Sequence, residues 1–131
     1  MRLLLDTHYV IEAIDGVQYG LSETSILEEA LNDGRAIASA VSLWEAEIKA
    51  RTGKLPLLHG VRSWPKLLEE ANIELLSLSA QHIQADIGPE PENKDPFDRI
   101  LLGVAAAEHC RLLTNDRYLR KHPLAWRSFP L

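Results

Sequence analysis

The sequence is short of cysteine, of long apolar runs and of net positive charge, and each shortage excludes a class of protein. Cys110 is the one cysteine among 131 residues, so no disulfide can form within the chain. We therefore expect a reducing, cytoplasmic setting and a buried, unreactive thiol. No apolar run approaches the ~20 residues of a membrane-spanning helix. The opening MRLLLD is not expected to be a signal peptide, because Asp6 ends its apolar run of three residues.

Basic side chains are fewer than acidic ones, 14 against 19, which gives a net charge of −5. This balance argues against broad electrostatic binding of nucleic acid, which depends on neutralisation of phosphates by Lys and Arg. It does not exclude a nucleic-acid enzyme whose metal ions supply the positive charge. The length, with no repeats and no dividing linker, predicts a single domain over residues 1–131. A chain of this size can fold without disulfides or a structural metal.

Short apolar segments alternate with helical patterns along the chain. The predicted strands are 3–5, 36–38, 73–78 and 110–114, with a further edge strand at 126–129. The predicted helices are 7–16, 22–34, 42–53, 63–72, 79–88 and 95–109, followed by one turn at 117–121. This order predicts an α/β protein with three α/β/α layers around a central parallel sheet of four to five strands.

The stretch DPFDRILLGVAAAEHCRLLTND, residues 95–116, has the clearest local signals. Asp95 suits a helix N-cap and Pro96 the first helical position. Asp98 then falls in the first turn, where the helix dipole favours a carboxylate. Apolar residues recur behind it at helical spacing, and Asp116 follows the next apolar segment. We expect Asp98 and Asp116 to lie at one edge of the sheet, where ligands of open α/β sheets bind.

Two further acids are predicted at the same edge, Asp6 after the first strand and Glu45 near the start of a helix. Each of the four acids also has a plain structural explanation: helix cap, second half of a Ser42–Glu45 capping box, dipole partner or turn residue, in chain order. Gathering them is unfavourable, because two charges ~4 Å apart repel by ~4 kcal/mol at an effective dielectric of about 20. A divalent cation such as Mg²⁺ or Mn²⁺, which takes oxygen ligands, would remove that cost.

Four motifs resemble those of the PIN domain over nearly the whole chain and in the same order: LLLDTH, S-x-x-x-x-W-E-x-x-I-K at 39–49, DPFDRILLGVAAAEH and LLTND. More narrowly, they resemble a VapC-type toxin of a bacterial or archaeal toxin–antitoxin pair. The resemblance implies a metal-dependent endoribonuclease that forms a homodimer and is inhibited by a cognate antitoxin protein. Gly-Val-Ala at 103–105 departs from the more usual Ala-Gln-Ala, a difference that we assign to packing.

The resemblance also assigns roles to individual residues. Asp6, Glu45, Asp98 and Asp116 match the family's catalytic acidic quartet. Of these, Asp6, Asp98 and Asp116 are the expected ligands of Mg²⁺ or Mn²⁺. Glu45 is expected to orient or deprotonate the attacking water, or to complete the shell of a second ion. Attack by water in this manner should leave 5′-phosphate and 3′-hydroxyl ends on the RNA.

Residues around the quartet are assigned less directly. Thr7 and Thr114 match positions that support the site. The basic residues Lys49, Arg99 and Arg117 are expected to contact the RNA substrate, with solvated surface charge as the alternative. The five histidines are scattered and make no zinc pattern. A dimer or antitoxin surface is predicted from a set of large apolar residues, for which core packing is the alternative: Trp44, Trp64, Leu55, Leu57 and Leu58.

Two other functions stay open at this point. One is a phosphatase with an aspartyl nucleophile after the first strand, as in haloacid-dehalogenase-like enzymes. Those enzymes resemble D-x-D there, whereas this chain has Asp6, Thr7 and His8, without the second acid. The other is a metal-stabilised module that binds RNA or a partner protein without cutting it.

Overall fold

The protein, seen in a computed structural model that describes residues 1–17 and 19–127, is built on a sheet of four parallel strands. The strands are β1 (Leu3–Leu5), β2 (Ala36–Ser39), β3 (Glu74–Leu76) and β4 (Arg111–Leu113), in the order β3-β2-β1-β4. The parallel sheet is as the sequence predicts. Residues 128 and 129 of the predicted edge strand lie outside the described residues. Just before the predicted edge strand, Ala125 makes a single parallel bridge to Leu112.

Helices cover both faces of the sheet and complete the predicted three layers. They are α1 (Thr7–Ile14), α2 (Thr24–Asp33), α3 (Ala40–Arg51), α4 (Trp64–Glu70), α5 (Ala80–Gln84) and α6 (Pro96–Ala107). Short 3₁₀ turns cover Val61–Ser63 and Leu119–Lys121. None of the helices in the described part of the chain is long and apolar enough to cross a membrane.

The start of α3 corrects one sequence interpretation. Ser42 opens an S-x-x-E pattern, but the structure places it inside the helix and buries it. Ser39 is the N-cap, because its side chain accepts a hydrogen bond of 3.1 Å from the backbone N–H of Val41. The capping-box explanation of Glu45 is therefore wrong. Glu45 lies in the second turn of α3, where its side chain is buried beside Thr7 and Lys49.

Alternating strand residues build a core on each side of the sheet. Leu3 and Leu5 face one core with α1, α2 and α4, which includes Trp64. Leu4 faces the other core, which α6 fills with residues such as Leu102. Because both faces are covered, these strands are apolar throughout rather than alternating with polar residues.

Gly103 allows α5 and α6 to touch. A Cβ at this position would lie 2.0 Å from the backbone carbonyl oxygen of His82 in α5, far closer than two such atoms can approach. His82 also fastens α5 to the end of α6, because its Nε2 lies 2.7 Å from Oε2 of Glu108. The glycine that departs from the resembled motif is therefore explained by packing.

The strand order fixes where a site can form. β1 lies between β2 and β4, so the chain leaves β1 towards one side and returns later to the other. Ligands of open α/β sheets bind at the carboxyl ends of strands at such a switch point. The backbone N–H of Asp6 bonds to the carbonyl of Leu113 at 3.0 Å, so the ends of β1 and β4 stay side by side. Helix α6 runs back against the strands and thus begins at this same edge.

Candidate active site

An acidic cavity of about 280 Å³ opens at the carboxyl edge of β1 and β4. All four acids of the predicted quartet line it, and Asp95 adds a fifth carboxylate. The complete lining is Asp6, Thr7, His8, Leu21, Glu45, Lys49, Asp95, Asp98, Leu101, Asn115 and Asp116. The structure thus brings together carboxylates that follow β1, lie within α3, open α6 and follow β4.

Asp6 lies at the base of this cavity and is buried. It caps α1, because its Oδ1 accepts a hydrogen bond of 3.0 Å from the backbone N–H of Tyr9. The nearby Thr114 hydroxyl, like this bond, acts to lower the pKa of Asp6. Burial raises the pKa in spite of both contacts, and the charge of Glu45 adds to the increase. The helix-cap explanation of Asp6 is correct, but it leaves a buried carboxylate beside other acids.

Glu45 is held at both of its oxygens. The Thr7 hydroxyl donates to Oε1 at 2.5 Å, and the ammonium of Lys49 donates to Oε2 at 2.5 Å. The Ser42 hydroxyl lies 3.0 Å from that of Thr7, which extends the network into α3. Burial alone would lower the pKa of Lys49, but its hydrogen bond with Glu45 and the charges of nearby acids reverse this and raise it. Lys49 is thus a fixed positive charge among the carboxylates.

Asp98 stands in the first turn of α6, as the sequence predicts. Its helix begins there because Asp95 accepts hydrogen bonds from the backbone N–H groups of Phe97 and Asp98, at 2.8 and 3.4 Å. Oδ2 of Asp98 accepts a bond of 2.6 Å from the side-chain amide of Asn93. Burial, followed by the charge of Asp95, raises the pKa of Asp98 to about 7. The charges of Asp116 and Glu45 act in the same direction, so three acids of the quartet interact electrostatically.

Asp116 is positioned by its own loop. Its Oδ1 accepts hydrogen bonds from the backbone N–H groups of Tyr118 and Leu119, at 2.8 and 3.0 Å. Its backbone N–H in turn donates to the Thr114 hydroxyl at 3.1 Å. Thr114 therefore contacts Asp116 and lies near Asp6. Thr7 and Thr114 both contact acids of the quartet, and their supporting roles stay a prediction.

The side-chain atoms that line the cavity suit a hard divalent cation as ligands. They include the oxygens of five carboxylates, whose negative charge exceeds the positive charge of the one lysine. Burial raises the pKa values of both Asp6 and Asp98, and the charges of neighbouring acids add to the increase. Among the described residues, however, no three acidic, His or Cys side chains converge on one ion position as they stand. The residues fit Mg²⁺ or Mn²⁺ in type and charge.

Two of the three predicted RNA contacts lie outside the cavity lining. Arg99 follows Asp98 in the chain, but its guanidinium donates to the Ala85 carbonyl at 3.1 Å and pairs with Glu90 at 3.2 Å. Arg117 is exposed and lies against the ring of Tyr118, 4.8 Å from its centroid. Lys49 does line the cavity, where it is paired with Glu45.

The large apolar residues proposed for a partner surface divide into two groups. Trp64 and Leu55 are buried in the core, so the alternative explanation holds for them. Leu57 packs partly against the same core. Trp44 and Leu58 are exposed. These two remain available for contact with another molecule.

Sequence reasoning missed three residues of the site. Asn93 and Asn115 hold acidic loops through their side-chain amides; Asn115 stands inside the LLTND motif but has no predicted role there, and Asn93 lies outside the motifs. Oδ1 of Asn115 accepts hydrogen bonds of 2.9 Å from the Tyr9 hydroxyl and 3.0 Å from the Ser22 hydroxyl. His8 lines the cavity mouth and packs edge-on against Tyr19, with ring centroids 4.9 Å apart. The one available signal was position, because Asn115 and His8 lie within two residues of a predicted acid.

Comparison with known families matches residues 3–123 to the PIN domain. Comparison with curated proteins gives no significant match. The family match spans all four strands, all six helices and every acid of the cavity. This chain belongs to the PIN domain family, whose members are in general metal-dependent nucleases.

Proposed function

We propose that this protein is an endoribonuclease in which Asp6, Asp98 and Asp116 hold Mg²⁺ or Mn²⁺. The observation that carries the proposal is the shared cavity, which acids from four separate parts of the chain line together. The raised pKa of Asp98, to about 7, supports it, because stability alone gives no reason to bury and gather these charges. A site that binds a cation gives such a reason.

The side chains around the cavity suit hydrolysis of a phosphodiester. A bound divalent ion supplies charge neutralisation at the phosphate and lowers the pKa of a bound water. Glu45 would orient the attacking water or accept its proton, and Thr7 and Lys49 fix the positions of both of its oxygens. Lys49 offers a positive charge to the phosphate from the same wall. Attack by water at phosphorus would break the bond from phosphorus to the 3′-oxygen, which takes up a proton, and would leave a 5′-phosphate and a 3′-hydroxyl.

We further propose the narrower role of a VapC-type toxin, with a homodimer as its working form and a cognate antitoxin protein as its inhibitor. The support is the order of the four sequence motifs along the chain. Arg99 and Arg117 remain predicted RNA contacts, outside the cavity. A cytoplasmic location goes with this role. Light scattering of the pure protein, alone and with the protein encoded beside it, tests the homodimer and the antitoxin.

The test of the nuclease is incubation of the pure protein with total RNA, with Mn²⁺ or with chelator, followed by mapping of the cut ends. We expect cleavage with Mn²⁺ alone, 5′-phosphate ends, and a loss of at least about 100-fold in Asp98→Asn. Glu28→Gln, an exposed acid on α2, is the matched control and should cut like the wild type. Equal cleavage in chelator, or full activity of Asp98→Asn, would refute the proposal. RNA bound but uncut would favour the binding module instead, and phosphate trapped on Asp6 would favour the phosphatase.

A further inference from the structure

We propose that Trp44 is a stacking platform for an unpaired base of the nucleic acid whose phosphate enters the acidic cavity. This inference rests on the proposed nuclease function and adds a residue that positions the substrate. Trp44 would hold the nucleotide beside the scissile phosphate through its base, whatever that base is. Neither the sequence motifs nor the cavity lining assigns Trp44 this role.

The first observation is the exposure of the indole. Trp44 is 53% exposed, whereas Trp64 is fully buried in the core. Its ring meets Phe97 in a T-shaped contact, with centroids 5.1 Å apart and planes at 79°. In such a contact the edge of one ring meets the face of the other, so Phe97 covers at most one face of the indole. More than half of the residue stays exposed, and this exposed surface can receive another planar group.

The second observation is the position of the aromatic pair. Trp44 directly precedes Glu45 in α3, and Phe97 directly precedes Asp98 in α6. Glu45 and Asp98 both line the acidic cavity. The contact between the two rings therefore joins the two helices, α3 and α6, that carry these acids, although neither ring lines the cavity itself. In the proposed arrangement, a base attached to the bound phosphate would stack on the indole.

The third argument concerns affinity. The cavity is lined by five carboxylates and one lysine, and the whole chain carries a net charge of −5. Attraction of the phosphate backbone, the usual source of non-specific affinity for nucleic acid, is therefore weak here. Stacking of a base on an aromatic side chain does not depend on charge and tolerates any base. An exposed indole at this place supplies the contact that the electrostatics lack.

A protein partner is the competing occupant of the same surface. Ile48, one helical turn beyond Trp44, is 39% exposed and would join it in an apolar contact. The two occupants differ in what they require. A protein interface needs apolar volume from both side chains, whereas a base needs a flat aromatic ring at position 44 alone. The position of Trp44 at the junction of the two helices that carry Glu45 and Asp98 into the cavity favours the base.

The experiment measures binding of a labelled single-stranded RNA oligonucleotide, in chelator and at low salt, by fluorescence anisotropy. The variants are Trp44→Leu, Trp44→Phe and Ile48→Ala, each checked for folding by thermal melting. We expect the dissociation constant to rise about 5- to 100-fold for Trp44→Leu. Trp44→Phe should bind within about 3-fold of the wild type, because it keeps a planar ring. Ile48→Ala should bind like the wild type.

An oligonucleotide with the same phosphates but abasic sites separates stacking from other contacts. We expect it to bind weakly and equally to the wild type and to Trp44→Leu. If Trp44→Leu binds the intact RNA as tightly as the wild-type protein does, the inference is overturned. Loss of a dimer in both Trp44→Leu and Ile48→Ala would also overturn it. The binding measurement involves no metal and no cleavage. It therefore tests the role of Trp44 even if the protein shows no activity in the nuclease assay. Conversely, normal cleavage by Trp44→Leu with unchanged KM would overturn the stacking role and leave the nuclease intact.

Discussion

The side-chain amide of Asn93 donates a hydrogen bond of 2.6 Å to Oδ2 of Asp98. This bond favours the charged carboxylate, yet burial and the charge of Asp95 outweigh it and raise the pKa of Asp98 to about 7. The charged form of Asp98 is therefore disfavoured in the ion-free folded protein, in spite of the bond from Asn93. This cost can be measured as a dependence of the free energy of unfolding on pH.

Metal-free protein should lose stability as the pH rises from about 4 to about 7. The folded pKa of Asp98, about 7, exceeds its ordinary value of 3.8, so the folded state holds the proton more tightly than the unfolded state does. Deprotonation on raising the pH therefore favours unfolding. Asp98→Asn should remove about 1 kcal/mol of this loss, a figure reduced for the partial exposure of the carboxyl.

Urea denaturation in chelator at several pH values measures this effect. Glu28→Gln serves as the control and should follow the wild type across the range. If Asp98→Asn and the wild type lose stability in parallel between pH 4 and pH 7, then Asp98 does not carry the raised pKa.

The pair formed by Glu45 and Lys49 should contribute more than an ordinary helix pair. Glu45 is nearly buried, with 7% of its side chain exposed, so removal of Lys49 leaves a carboxylate without its counter-charge. We expect a coupling free energy of about 1–3 kcal/mol from a double-mutant cycle of Glu45→Gln and Lys49→Met in chelator.

The same helix provides a matched comparison. Glu47 and Arg51 have the same spacing and lie 2.7 Å apart, but their side chains are 43% and 77% exposed. Their cycle should give about 0.3–0.5 kcal/mol, as is usual for exposed pairs on helices. Equal coupling energies for the two pairs would show that the cavity does not enhance the interaction of Lys49 with Glu45.

Gly103→Ala should destabilise the protein although alanine is the better helix former. The new Cβ would meet the His82 carbonyl at 2.0 Å, so α5 must shift away from α6. Overpacking of this kind costs about 1–3 kcal/mol, against a gain of about 1 kcal/mol in helix propensity. Thermal melting in chelator gives the net change.

Gly60→Ala is the control for Gly103→Ala, since nothing lies within 4 Å of the added Cβ and the φ angle of −66° suits any residue. It should melt at the wild-type temperature or slightly above, because alanine restricts the unfolded chain. A stabilised Gly103→Ala protein would mean that α5 and α6 are not in contact as described.

Much of the framework could be predicted from local sequence. Asp95 and Pro96 predict the start of α6, and the structure confirms them as the N-cap and the first helical residue. The three-leucine run before Asp6 is apolar on both faces because β1 is covered on both sides. Once the strands are parallel, acids that follow them must share one edge. The sequence could therefore predict that Asp6, Asp98 and Asp116 share one cavity.

Other features depend on contacts that no local pattern contains. The S-x-x-E pattern favours Ser42 as the cap, but Ser39 caps the helix and Ser42 lies inside it, hydrogen-bonded to Thr7 from a distant part of the chain. Arg99 is next to Asp98 in the chain, but a helix turns by about 100° per residue, so their side chains diverge. The bond of Asn115 to Ser22 joins residues 93 positions apart. Such partners become visible only when the chain is folded.

Binding of Mn²⁺, counted by electron paramagnetic resonance of the free ion during titration, tests the central claim most directly. We expect about one or two ions per chain, affinity at least about 10-fold weaker in Asp6→Asn and Asp98→Asn, and wild-type binding by Glu28→Gln. Wild-type protein that leaves all Mn²⁺ free in solution, or Asp98→Asn that binds it equally well, would contradict the account.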